Sequence, residues 1–108
     1  MTTYNKLVRD GIPSILEQNG QAFNTETLNQ DRYIMELKKK LNEEVMEYQD
    51  AANDEDALEE LADILEVMQA LVGIHDTTME DVEKRRAKKA EECGGFEEKI
   101  YLVDVEEK

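Results

Sequence analysis

Tyr33-Ile34-Met35-Glu36-Leu37-Lys38-Lys39-Lys40-Leu41-Asn42-Glu43-Glu44-Val45-Met46-Glu47-Tyr48 decides the class of this fold. Tyr33, Leu37, Leu41, Val45 and Tyr48 recur at intervals of three and four, the repeat of a helix with one apolar side. Ala52 extends the stripe, so a long helix is expected from Asn29 or Asp31 to Ala52. Asn53 and Asp54 interrupt it and offer a cap for a second long helix, roughly Asp54 to Gly73. That segment carries Leu58, Leu61, Ile64, Leu65, Met68, Leu71 and Val72, with Gly73 as the expected terminator.

Working outward, Pro13 suits a helix start, and Ile12 to Gln18 reads as one short helix closed by Gly20. Thr77 followed by Glu80 has capping-box spacing for a third long helix, running to about Cys93 and stopped by Gly94-Gly95. Its apolar stripe is narrow: Met79, Val82, Ala87 and Ala90. The segment up to Asp10 reads as extended, and Lys99-Ile100-Tyr101-Leu102-Val103 as a β-like run able to pair or pack with it. No repeat or linker interrupts the chain. The expected fold is all-α: one domain over residues 1–108, a bundle of long antiparallel helices with short extended terminal segments. Aromatic residues are only 6% and Trp is absent. So thin a core predicts completion by self-association, as a homodimer or homotetramer.

The formal net charge is −14, from 27 acidic and 13 basic residues. Binding to a nucleic-acid polymer or an anionic membrane draws on Lys and Arg neutralising phosphates, so this surface argues against both. A small anion is a different case, because a bound divalent ion inverts the local field. Cys93 is the one cysteine, which forbids an intramolecular disulfide and fits a reducing cytoplasm. Neither a signal-peptide core nor an apolar run of membrane-spanning length is present, so the expectation is a soluble cytoplasmic protein.

Against that background two acidic pairs stand out, Glu44-Val45-Met46-Glu47 and Glu60-Leu61-Ala62-Asp63, with twelve residues between them. Each pair has i,i+3 spacing, which sets its carboxylates side by side on one helix. Glu44 falls inside the apolar stripe, where binary patterning asks for an aliphatic residue. Glu47 lies at the stripe's edge, Glu43 points toward water, and Lys40 shares the Glu44 flank. On the second helix Glu60 sits at one edge of the face and Asp63 further round, beside Val67 and Ile74. Glu59 and Glu66 point to solvent. A hairpin of the two helices would gather Glu44, Glu47, Glu60 and Asp63. Four such acids cannot stay ionised and dry without a cation, and an all-oxygen set suits Mg²⁺ or Mn²⁺. The pattern reads as a magnesium-dependent enzyme acting on a phosphorylated small molecule.

Glu43-Glu44-Val45-Met46-Glu47 followed by Glu60-Leu61-Ala62-Asp63 also resembles the EExxE…ExxD signature of the MazG-like all-α nucleotide pyrophosphohydrolases. Tyr4-Asn5-Lys6-Leu7-Val8-Arg9-Asp10-Gly11-Ile12-Pro13 and Lys89-Ala90-Glu91-Glu92-Cys93-Gly94-Gly95-Phe96 are similar to the two ends of a small single-domain branch related to phosphoribosyl-ATP pyrophosphatase. The resemblance implies a dimeric or larger helical assembly binding Mg²⁺ through Glu44, Glu47, Glu60 and Asp63. It implies hydrolysis of a nucleoside triphosphate or related nucleotide between the α- and β-phosphates. The branch often has Arg where this chain has Cys93.

Phosphoanhydride cleavage needs a proton acceptor, here Glu47 or Glu44, and cations for the remaining phosphate charge. Candidates for the latter are Lys6, Arg9, Lys40, Arg86 and Lys89. Each has a plainer reading: Lys38-Lys39-Lys40 as solvated helix surface, and Arg86 and Lys89 as partners of neighbouring Glu residues. His75 reads as a cap or surface residue. The competing function is a non-catalytic acidic helical interaction protein, a nucleic-acid mimic or regulator. That explains the charge but not the ExxE and ExxD spacing. A calcium loop at Asn53-Asp54-Glu55-Asp56 is disfavoured, because it lacks the central Gly and distal Glu of an EF-hand.

Overall fold

Single polar side chains open the three long helices. The computed structural model describes residues 2–108, and among them it has four α-helices and no strand. These are α1 (Ile12–Gln18), α2 (Gln30–Gln49), α3 (Asp54–Ile74) and α4 (Met79–Cys93). Asn29 Oδ1 accepts the Arg32 N–H at 2.9 Å to start α2, and Asn53 Oδ1 accepts the Asp56 N–H at 2.9 Å to start α3. Asp54, Glu55 and Asp56 then place negative charge on the positive end of the α3 dipole.

α4 begins one residue later than its sequence suggests. Thr78, not Thr77, has the extended cap backbone, and its Oγ1 accepts the Asp81 N–H at 3.3 Å. With Met79 as the first helical residue, the third is Asp81 rather than Glu80, so the cap moves by one. Helix ends also differ in part. Gly20 and Gly94 have positive φ, of 71° and 83°, which glycine adopts without the steric cost of a Cβ. Gly73 does not. α3 runs past it to Ile74, His75 is the C-cap, and Asp76 takes the left-handed turn at φ 55°. Aspartate tolerates that region better than most residues, so glycine is not needed there.

The chain divides into two compact units, Met1–Thr77 and Thr78–Lys108. In the first, α2 and α3 pack as an antiparallel hairpin joined through Asp50-Ala51-Ala52-Asn53. At 20 and 21 residues, each helix is about 30 Å long. Among the described residues, the buried apolar side chains are Leu37 on α2 and Val67 and Val72 on α3. Leu37 and Glu44, the two buried residues of α2, are seven apart, and so are Glu60 and Val67 on α3. Seven residues are two helical turns, so the antiparallel register that sets Glu44 against Glu60 also sets Leu37 against Val67.

α3 therefore turns its Glu60, Ile64, Val67, Leu71 side to α2. The expected face is covered only in part: Ile64 and Leu71 are half-buried, whereas Leu58, Leu61, Leu65 and Met68 are exposed in this chain, Leu58 by 63%. One helix has room to cover only one stripe of α3, and the apolar surface of α3 is wider than that. On α2, Val45 and Tyr48 are likewise left partly uncovered.

The second unit is α4 with the segment that follows it. Its polar faces are held by i,i+3 and i,i+4 ion pairs: Glu80 with Lys84, Asp81 with Arg85, Glu83 with Arg86 and Lys88 with Glu92. The β-like run Lys99–Val103 forms no strand, and Ile100, Tyr101, Leu102 and Val103 are all exposed. High β propensity makes no strand without a partner to complete the ladder. Among the described residues, no helix is long and apolar enough to cross a membrane.

Candidate metal centre

The α2–α3 seam brings Glu44, Glu47 and Glu60 together. One carboxylate oxygen from each lies within 4.8 Å of the other two. Glu44 is 6% exposed, Glu60 half-buried and Glu47 exposed, so the group runs from the helix interface out to solvent. α2 supplies Glu44 and Glu47 one turn apart, and α3 supplies Glu60 from across the seam. The burial of Glu44 is the misfit anticipated from the apolar stripe.

Its electrostatics are unbalanced. Among the described residues, the cation on Glu44 is Lys40, one turn earlier, with Nζ 3.5 Å from Oε1. Glu44 Oε2 and Glu60 Oε2 are buried with no hydrogen-bond partner among the described residues. An ionised carboxylate only accepts, so facing carboxylates cannot satisfy one another unless a proton or a cation joins them. The strain appears in their acidities. Burial, followed by the Glu47 and Glu44 carboxylates, pushes Glu60 up to about 7. Burial and Glu47 also raise Glu44, against the pull of its contact with Glu60 and of the Lys40 ammonium.

The donor set fits a hard divalent cation: oxygen only, two orphaned atoms, and an open side at Glu47 for water or an anionic ligand. Of the four ligands expected from the sequence, the structure brings three together. Asp63 stands outside the group, and its Oδ1 accepts Arg9 Nη2 at 2.8 Å. The pair is 54 residues apart in sequence, so no local spacing announces it. Glu43 is half-buried rather than turned to water, while Glu59 and Glu66 are exposed as expected.

The expected phosphate-binding cations fall into different settings. Lys40 is on Glu44 and Arg9 on Asp63. Lys6 holds its ammonium 5.6 Å from the centre of the Tyr4 ring. Arg86 belongs to the second unit, where Nε and Nη2 grip both oxygens of Glu83, drawing the Glu83 carboxyl below its usual range. Lys89 lies there too, lining an open depression on α4 with Arg85, Lys88 and Glu92. Comparison with protein-family models, with curated proteins and with solved structures returns no match.

Proposed function

We propose that this chain is a metal-dependent nucleotide pyrophosphohydrolase. In this reading it hydrolyses a nucleoside triphosphate or related nucleotide at the α–β phosphoanhydride, giving a nucleoside monophosphate and pyrophosphate. The observation that carries it is the buried, cation-poor meeting of Glu44 and Glu60, with an unsatisfied oxygen on each. Such an arrangement is costly as bare protein and becomes favourable when it holds a divalent ion. The resemblance of the acidic pairs and both chain ends to the MazG-like signature supplies the reaction class.

Glu44, Glu47 and Glu60 would hold Mg²⁺, or Mn²⁺ in its place. When bound, the ion neutralises non-bridging phosphate oxygens and lowers the pKa of a coordinated water. Glu47, the exposed member, or else Glu44 would accept the proton of the attacking water as the bond to the bridging oxygen breaks and pyrophosphate leaves. Lys40 keeps Glu44 oriented. Arg9 and Lys6 are the cations of the same unit suited to the departing phosphates.

The assembly is a homodimer or homotetramer working in the cytoplasm, with no polymeric nucleic acid or membrane as partner. The uncovered side chains of Leu58, Leu61, Leu65 and Met68 support self-association. The test is pyrophosphate release across a nucleotide panel with and without Mg²⁺, beside Glu44→Gln. Release that needs metal and disappears in the variant is expected. A wild type that binds no divalent ion and turns over no nucleotide would hand the chain to the alternative, an acidic helical interaction protein.

A further inference from the structure

Asp63 and Arg9 carry a consequence for how the site loads. Glu60 and Asp63 are one turn apart on α3, so their side chains emerge as neighbours. Glu60 joins the glutamate group, whereas Asp63 is turned to the Arg9 guanidinium at 2.8 Å. Both partners of that pair are substantially solvated, at 56% and 39% exposure for Arg9 and Asp63. Pairs of this kind are weak and readily exchanged. The glutamate group has the opposite problem, with two orphaned oxygens and, among the described residues, Lys40 as its close ammonium.

We propose that Arg9 is a positioning residue that competes with the divalent cation for the Asp63 carboxylate. Without metal, Arg9 holds Asp63 beside the glutamates and outside their group. On loading, Asp63 exchanges the guanidinium for the ion and completes a four-carboxylate set with Glu44, Glu47 and Glu60. Arg9 thus weakens metal binding by the free-energy difference between the two pairings. This inference rests on the metal-site reading above; the fourth ligand is the one the resemblance implies, and the resident competitor is what is added.

The experiment is a double-mutant cycle on Mn²⁺ binding, read by electron paramagnetic resonance of free Mn²⁺ and needing no catalysis. Wild type, Arg9→Gln, Asp63→Asn, the double variant and Glu44→Gln are compared at one pH and ionic strength. Arg9→Gln is expected to tighten Mn²⁺ on the order of two- to fivefold, the range that an exposed ion pair allows. Asp63→Asn is expected to weaken it, and Arg9→Gln on the Asp63→Asn background to have no effect. An equal tightening on both backgrounds would mean a general charge effect and would overturn the competition, as would no tightening at all. Mn²⁺ binding that Glu44→Gln abolishes, without coupling between Arg9 and Asp63, sinks this inference and leaves the metal site standing. No Mn²⁺ binding by the wild type sinks both.

Discussion

Glu44 and Glu60 meet across the α2–α3 seam, each with a buried Oε2 that nothing among the described residues satisfies. The seam's heptad spacing makes this unavoidable. A register that packs Leu37 against Val67 necessarily stacks the two acids two turns further along. Apolar packing thus drives the carboxylates together, and their repulsion opposes the hairpin that the packing builds.

The first consequence is a pH dependence of stability. Glu60 is raised to about 7 in the folded chain, and Glu44 is raised as well. Between the ordinary carboxylate value and about 7, the folded state therefore holds more protons than the unfolded state. The associated stability is fully present below the unfolded value and is lost as pH rises through about 7. Urea midpoints of metal-free protein should fall between pH 5 and pH 8, as rough bounds of that window. The −14 net charge adds a trend of the same sign, so Glu60→Gln is the necessary comparison. It should flatten the curve; a wild-type-minus-variant difference that stays constant with pH would mean Glu60 titrates like an ordinary carboxylate.

Metal should reverse that penalty. At a hundredfold excess over its dissociation constant, a ligand specific for the folded state adds about 2.7 kcal/mol. For a domain of this size that corresponds to a rise in Tm on the order of ten degrees. Mg²⁺ or Mn²⁺ should give such a rise above pH 7 and much less near pH 5, where Glu60 is protonated. Glu44→Gln should abolish the rise while leaving the metal-free melt no lower than that of the wild type, since it removes a like charge from the seam. Scanning calorimetry with and without metal decides this, and an unchanged rise in the variant would remove Glu44 from the ligand set.

Core substitutions should be unequal in a way that composition does not reveal. Leu37 is 4% exposed and faces the Val67 side of α3. Leu37→Ala should cost about 2–4 kcal/mol through lost burial and a residual cavity. Asn53→Ala removes the α3 cap and should cost about 1 kcal/mol. Chemical denaturation of each variant gives both values, and a Leu37→Ala effect no larger than that of Asn53→Ala would contradict the packing described.

The helices were legible because their signals are local. Asn29, Asn53 and Gly94 act within one turn of themselves, and the three-four repeat of α2 needs no partner to be recognised. The misfit of Glu44 was legible for the same reason, as a charge inside its own helix's stripe. What the sequence hid depends on which of two adjacent stripes α3 turns inward. Leu58, Leu61, Leu65 and Met68 share the expected face with Ile64 and Leu71, yet packing follows only the Ile64 and Leu71 edge together with Val67. Arg9 pairing with Asp63 was hidden by distance along the chain, and the Thr77-to-Thr78 shift by two equivalent hydroxyls in succession.

The stripe that α3 leaves uncovered yields the last prediction. Leu58, Leu61, Leu65 and Met68 repeat at three and four residues, a pattern suited to another helix. A hairpin whose buried apolar side chains are Leu37, Val67 and Val72 is poorly provided for by itself. Leu58 and Leu65 are seven apart and lie outside the glutamate group, so Leu58→Glu with Leu65→Glu should disrupt assembly without removing a metal ligand. Light scattering should then show the wild type as a multiple of 12.5 kDa and the double variant as a single chain. A wild type that runs as a monomer at high protein concentration would mean that this stripe does not join copies of the chain.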